Sequence, residues 1–195
     1  MKPILSVISA IVLLIAAAGP ATAADPVGTV TFVNGPVDIT RPGEAAEPLN
    51  IGDDVFIGDI IRTKTGARAE IRFIDESIIR LAQQSRVEIS EYMVKKDRQQ
   101  SRLSLFRGKI QSLVKKIAGR TWGRTKRHRF LIETPTAVCG VRGTDFFTWF
   151  TNGTTGVAFT DGSGELSAGG DPNLSQVINA GQTGIVTDAF TMPTV

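Results

Sequence analysis

The chain carries one cysteine, Cys139, and one histidine, His128, among 195 residues. A single cysteine excludes an intrachain disulfide, so the fold has to rest on its apolar core. Burial in the apolar run around it is the plain role for that thiol, and an intermolecular bridge from an exposed position is the rival. One histidine and one cysteine cannot build the common zinc sets. A histidine-dependent nucleophile further needs a base held by an orienting acid, and the run Lys126-Arg127-His128-Arg129 supplies none. Asp53, Asp54 and Asp59 leave open an oxygen-only calcium site, but their spacing matches no EF-hand loop and Asp beside Gly is ordinary turn composition. Glu70 and Glu88 sit in strand patterns where outward acids are routine, and Gly162-Ser163-Gly164 lacks the strand-to-helix context of a phosphate cradle. The expectation is a protein with no catalytic residues, no cofactor and no metal.

Long apolar runs are missing after the N-terminus. Lys2, the apolar stretch Ile4 to Ala18 and the small residues Ala21-Thr22-Ala23 form a complete secretory signal. An uncleaved anchor is the rival reading, but the run falls short of the ~20 residues that a span needs and Gly19-Pro20 ends it. Residues 1–23 are therefore expected to be removed, leaving one domain from Ala24 to Val195 with its core at about 28–187, in the periplasm or secreted.

Charges of each sign are missing from different regions. Between Arg98 and Ile132 there are eleven Lys or Arg and no Asp or Glu. From Gly143 onward there are five acids and no Lys or Arg. The basic stretch Arg120, Arg124, Lys126, Arg127 and Arg129, interleaved with Trp122 and Phe130, is a candidate contact for an anionic surface. Export argues against nucleic acid and toward lipid headgroups, lipopolysaccharide or acidic polysaccharide. A solvated loop that blunts strand pairing is the competing account.

What is present is strand signal. Val30 and Phe32 alternate, as do Val37 and Ile39, then Ala69, Ile71 and Phe73, and later Val157 and Phe159. Asn34-Gly35, Asp75-Glu76, Asn152-Gly153 and Asp161-Gly162 fall between these runs, where tight turns belong. Short strands punctuated by twenty glycines predict an all-β single domain, a sandwich or a short β-solenoid-like stack, with at most one short helix. That helix would come from Ile110, Leu113, Val114 and Ile117 at i, i+3, i+4 and i+7. The alternative is a strand through Val114 with Leu103, Leu105 and Ile110 inward, followed by an irregular basic loop from Lys115 to Arg129.

The run Thr134-Pro135-Thr-Ala-Val-Cys-Gly-Val-Arg142-Gly143-Thr144-Asp145 is the most specific motif. Proline ends whatever precedes it, and an arginine set among strand residues needs a partner or solvent, for which Asp145 is one candidate. Arg142 thus reads as an architectural tie. The run resembles the signature of the FecR domain. Leu49 to Thr63 resembles that family's paired Gly-Asp segment, and Gly66 to Leu81 its following hairpin, with Glu76 where the family has glycine. Phe106 to Ile110 and Ala180-Gly181-Gln182 match two further elements.

The resemblance implies a periplasmic sensory or scaffolding module of iron-dicitrate-type signalling regulators, working through a protein partner. The family's cytoplasmic sigma-binding segment and membrane span are not found ahead of the domain. The expectation is therefore a standalone exported module that binds a partner protein or envelope ligand and is not itself an anti-sigma factor. The alternative is an envelope structural or carbohydrate-binding module, with an exported hydrolase third. The sequence leaves the oligomeric state open.

Overall fold

The computed structural model describes residues 24–95, 98–115, 128–141 and 143–195. These residues hold sixteen strands and no helix. In chain order the strands are β1 (Gly28–Asn34), β2 (Val37–Thr40), β3 (Glu47–Pro48), β4 (Asp54–Val55), β5 (Ile60–Thr63), β6 (Arg68–Phe73), β7 (Ile78–Leu81) and β8 (Arg86–Lys95). They continue as β9 (Arg98–Leu113), β10 (His128–Glu133), β11 (Ala137–Val141), β12 (Asp145–Thr151), β13 (Thr154–Asp161), β14 (Ser163–Ala168), β15 (Ser175–Asn179) and β16 (Thr183–Val186).

The strands make one continuous ladder folded back on itself through a shared strand. Sheet A runs β4-β1-β6-β7-β9-β12-β13-β16, and sheet B runs β3-β2-β5-β8-β9-β10-β11-β14-β15. All pairs are antiparallel except β9 with β10. Parallel neighbours need a crossover of a dozen or more residues, which is why a long segment separates Leu113 from His128.

The shared strand β9 turns its corner at Gly108, whose φ is +93°. Residues before the corner pair with β8 and β10, and residues after it pair with β7 and β12. Ser101, Leu103 and Leu105 face the core before the corner, Ile110 and Ser112 after it. The parity slips by one because the register with β8 shifts between Arg86 and Val87. An extra residue in one strand exchanges its two faces, so β9 changes sheet while still presenting its apolar side inward. No other residue fits at the corner: a Cβ on Gly108 would lie 2.5 Å from Ser85 Cα. The helical reading of Ile110 and Leu113 is thereby set aside in favour of the strand.

One apolar cluster fills the space between the sheets. Phe73 of sheet A stacks on Tyr92 of sheet B with ring centroids 4.4 Å apart, and a Cβ on Gly164 of β14 would lie 2.6 Å from Phe159 Cζ of β13. These contacts across the layers make the fold a sandwich. Ile39, Ile61, Ile71, Ile79, Leu103 and Leu105 are among its fully buried side chains, each contributing about 1.5–3 kcal/mol.

Two details depart from the expectation. Phe32 does not alternate with Val30 as a core residue. The register of β1 on β6 shifts at Thr31, and this bulge turns Phe32 to the outer face, 47% exposed. Arg129 is not in a loop: β10 begins at His128 and pairs Arg129 with Gln100, because parallel pairing with β9 claims the end of the basic stretch.

Candidate functional site: the outer face of sheet A

Strand register sets the outward residues of sheet A in rows. Phe32 of β1 stands opposite Glu70 of β6, Glu70 opposite Arg80 of β7, Arg80 opposite Gln111 of β9, and Gln111 opposite Phe147 of β12. A polar line therefore crosses three strands between two aromatic rings. Arg80 Nε donates to Glu70 Oε2 at 2.7 Å, and its fork reaches Gln111 Oε1 at 3.5 Å. Gln111 Nε2 donates to Asp145 Oδ1 at 2.9 Å, and Thr31 Oγ1 to Glu70 Oε1 at 2.8 Å. The Arg80 guanidinium bonded to Glu70 holds that carboxyl below its ordinary range, against the opposing cost of partial burial. A carboxylate held ionised is an anchor and a poor proton donor.

In the adjoining row Lys109 stands opposite Trp149, and Trp149 opposite Gly156 of β13. The Lys109 ammonium lies 4.7 Å from the Phe147 ring centroid and 5.9 Å from that of Trp149, within the range of cation–π attraction. The indole of Trp149 lies against β13 because residue 156 has no side chain: a Cβ there would fall 2.0 Å from Trp149 Cζ2. A groove of about 540 Å³ on this face is lined by Phe32, Arg68, Ala82, Lys109 and Phe147, with the strands at Ala69 and Leu81 beneath it. Arg68 is exposed and has no acidic partner among the described residues.

The outer face of sheet B is made differently. Asp38 accepts from Arg62 Nε at 3.1 Å and Lys64 Nζ at 2.6 Å, and Arg102 pairs with Glu133 at 2.8 Å. Ser90 and Ser104 share a hydrogen bond of 2.7 Å. These charges are paired with their neighbours.

A sequence model of the family described as FecR protein matches residues 59–163, from the second Gly-Asp turn to the start of β14. The chain belongs to the FecR family. Two crystal structures of a candidate anti-sigma factor from Parabacteroides distasonis, at 2.50 Å and 1.65 Å resolution, share its fold. Each aligns with a TM-score of 0.52 at 14% identity, over 69% of this chain and 57% of the other. This FecR chain thus spans little more than half the length of those proteins. No curated protein matches it.

The FecR signature is dispersed by the fold. Thr134 closes the β10–β11 turn: its hydroxyl accepts from the Ala137 N–H at 3.0 Å and shares a 2.6 Å bond with Thr155 of β13, tying the turn to sheet A. Pro135 is exposed at the tip. Gly143, at φ +66°, and buried Thr144 carry the chain from sheet B to sheet A, and Val114 N–H donates to the Thr144 carbonyl at 2.8 Å. Asp145 stands opposite Leu113, beside the outer row, and accepts from Gln111. Arg142, Arg120, Arg124, Lys126 and Arg127 lie outside the described residues, as does the side chain of Arg129.

Cys139 is 2% exposed, and burial pushes its thiol well above the ordinary range, so it stays protonated and inert. Asp53, Asp54 and Asp59 do not converge. Asp53 accepts the Asn50 N–H at 2.7 Å, Asp59 the Phe56 N–H at 2.8 Å, and Asp54 the Thr29 hydroxyl at 3.2 Å. Among the described residues no three metal-ligating side chains gather.

The groove was not among the residues singled out from sequence. Its nearest signal is Phe146-Phe-Thr-Trp149, where alternation sends Phe147 and Trp149 to the face opposite buried Phe146 and Thr148.

Proposed function

We propose that this FecR chain is an exported, non-enzymatic signalling module whose working surface is the outer face of sheet A. A ligand or partner in the cell envelope occupies the groove, and the module passes that occupancy to a membrane signalling protein; the sigma-directed step belongs to that other protein. The observation that carries this reading is the row Phe32, Glu70, Arg80, Gln111, Phe147. Aromatic rings at both ends of a prearranged polar line are the makeup of a recognition surface. Membership of the FecR family supports the signalling role, since these domains are periplasmic and belong to signalling regulators. The anchored, ionised Glu70 supports binding over catalysis.

Site-specific photo-crosslinking tests the assignment. A photoreactive residue at Phe147 should give a discrete adduct in the native envelope, and one at Ser104 on the opposite face should give none. Adducts from Ser104 alone, or from neither position, would overturn it.

A further inference from the structure

We propose that the groove on sheet A binds an acidic saccharide, a chain of sugar rings bearing carboxylates laid across the strands. The proposal rests on the reading of this face as the contact surface and names its occupant.

The first support is the seat of Trp149. Because Gly156 leaves room for the indole against β13, the half-buried Trp149 makes an aromatic platform with Phe147 of the groove lining, two residues away on the same side of β12. A sugar ring has an apolar C–H face and a polar rim, so it buries apolar area on such a platform while its hydroxyls stay free to bond. The second support is charge. Lys109 lies over both rings, and Arg68 lines the same groove without an acidic partner among the described residues. The groove therefore offers positive charge that no described carboxylate pairs with, next to aromatic surface, which selects a carboxylated ring over a neutral one. The third is spacing. Neighbouring strands lie ~4.8 Å apart, about the length of one sugar ring, so a saccharide crossing the strands meets a new outward side chain at each step. The Arg80 fork and the Gln111 amide supply planar donors along that path.

An acidic peptide fits less well. A peptide adding to a sheet gains its affinity from main-chain bonds at an open edge. Here β6, β7, β9 and β12 are paired on both sides, so the groove has no backbone to offer.

Calorimetric titration of the full chain tests the proposal, with oligomers of galacturonate, mannuronate and hyaluronate as probes. Neutral galactan oligomers and hexaglutamate serve as comparisons at one salt concentration. At least one acidic saccharide should bind, and at least tenfold more tightly than either comparison. Gly156→Val, which would lift the indole, and Lys109→Ser should each weaken that binding tenfold or more. Phe147→Ala is the substitute if Gly156→Val fails to fold. Serine at Arg124, Lys126, Arg127 and Arg129 should leave the affinity unchanged. The proposal falls if none of the three saccharides binds or if hexaglutamate binds equally. It also falls if the groove variants keep full affinity, or if the Arg124 to Arg129 variant loses it. Crosslinks from Phe147 without saccharide binding would remove the ligand class and leave the contact surface standing; the loss of both would remove both.

Discussion

Asn50-Ile51-Gly52-Asp53 and Phe56-Ile57-Gly58-Asp59 close two turns six positions apart, and the backbone of one repeats the other. Both glycines have φ of +91°. In each turn the aspartate N–H donates to the carbonyl of the first residue, at 3.3 and 3.2 Å, and the aspartate Oδ2 accepts from that residue's N–H, at 2.7 and 2.8 Å. Both isoleucines point to solvent. The surroundings differ. Asp53 is only half-buried, and a Cβ on Gly52 would meet nothing within 4 Å. Asp59 is 0% exposed and its Oδ1 has no hydrogen-bond partner among the described residues, while a Cβ on Gly58 would lie 2.7 Å from Pro42 Cγ. The backbone ties do not differ: Gly52 N–H donates to the Val30 carbonyl and Val30 N–H to the Asp53 carbonyl, both at 2.9 Å, just as Gly58 N–H donates to the Ile89 carbonyl at 2.8 Å and Ile89 N–H to the Asp59 carbonyl at 3.0 Å. Identical local chemistry makes identical turns with identical backbone ties, and side-chain packing then buries one and leaves the other half-open.

Alanine at the two glycines should separate the turns most. Gly52→Ala carries only the left-handed strain, about 1–2 kcal/mol. Gly58→Ala adds a collision with Pro42 and should cost about 3 kcal/mol in all. Urea unfolding of the pair checks this, and equal losses would mean that Pro42 yields freely and the turns are alike.

The aspartates should differ less. Asp59→Ala leaves the Phe56 N–H without its acceptor in a buried turn and should cost about 2 kcal/mol. Asp53→Ala, where water can replace the carboxylate, should cost about 0.5–1 kcal/mol. A larger loss at Asp53 in thermal unfolding would reverse the assignment of the buried turn.

The buried carboxyl also gives a pH signature. Burial, the dominant cause, raises the pKa of Asp59 above its unfolded value, although the Phe56 N–H and Arg41 oppose it. The folded state then holds the proton more tightly than the unfolded chain. The cost of the buried charge is fully present above the folded pKa and is relieved as pH falls through it. Asp59→Asn removes that charge, so its stability relative to the wild type should be highest at neutral pH and should decline as pH is lowered. Parallel melting curves from neutral to mildly acidic pH check this. A difference that does not change with pH would show that Asp59 feels no burial.

A third turn at the β6–β7 hairpin gives the smallest effect, with the opposite sign. Glu76 occupies a left-handed position, φ +65°, where the two Gly-Asp turns use glycine. Glu76→Gly should stabilise the chain by about 0.5–1 kcal/mol, since the exposed ion pair to Lys115 is worth little. A lower midpoint for Glu76→Gly would mean that the ion pair outweighs the strain.

The turns were legible in sequence for the same reason that they repeat. Gly35, Glu76, Asn152, Gly153 and Gly162 all take positive φ, as the Asn-Gly, Asp-Glu and Asp-Gly pairs indicated. The inward positions of Val37, Ile39, Ala69, Ile71, Phe73, Val157 and Phe159 were legible from alternation. Phe32 was not, because nothing in Val30-Thr-Phe32 marks the bulge at Thr31, which depends on the partner strand β6. The groove was illegible on the same ground. Phe32, Glu70, Arg80, Gln111 and Phe147 are scattered over five strands and become neighbours through four separate registers.

By itself the sequence determined the all-β character, the family, the turn positions and the buried stripes of β2, β6 and β13, since these follow from patterns within a few residues along the chain. Only the tertiary structure decided that β9 turns at Gly108 to serve both sheets, that one Gly-Asp turn is buried and its twin is not, and that aromatic rings flank a line of polar groups on sheet A. Those outcomes depend on which strand lies beside which. Side-chain parity fixes the face a residue points to, but pairing register, chosen by the packing of the whole core, fixes its neighbours.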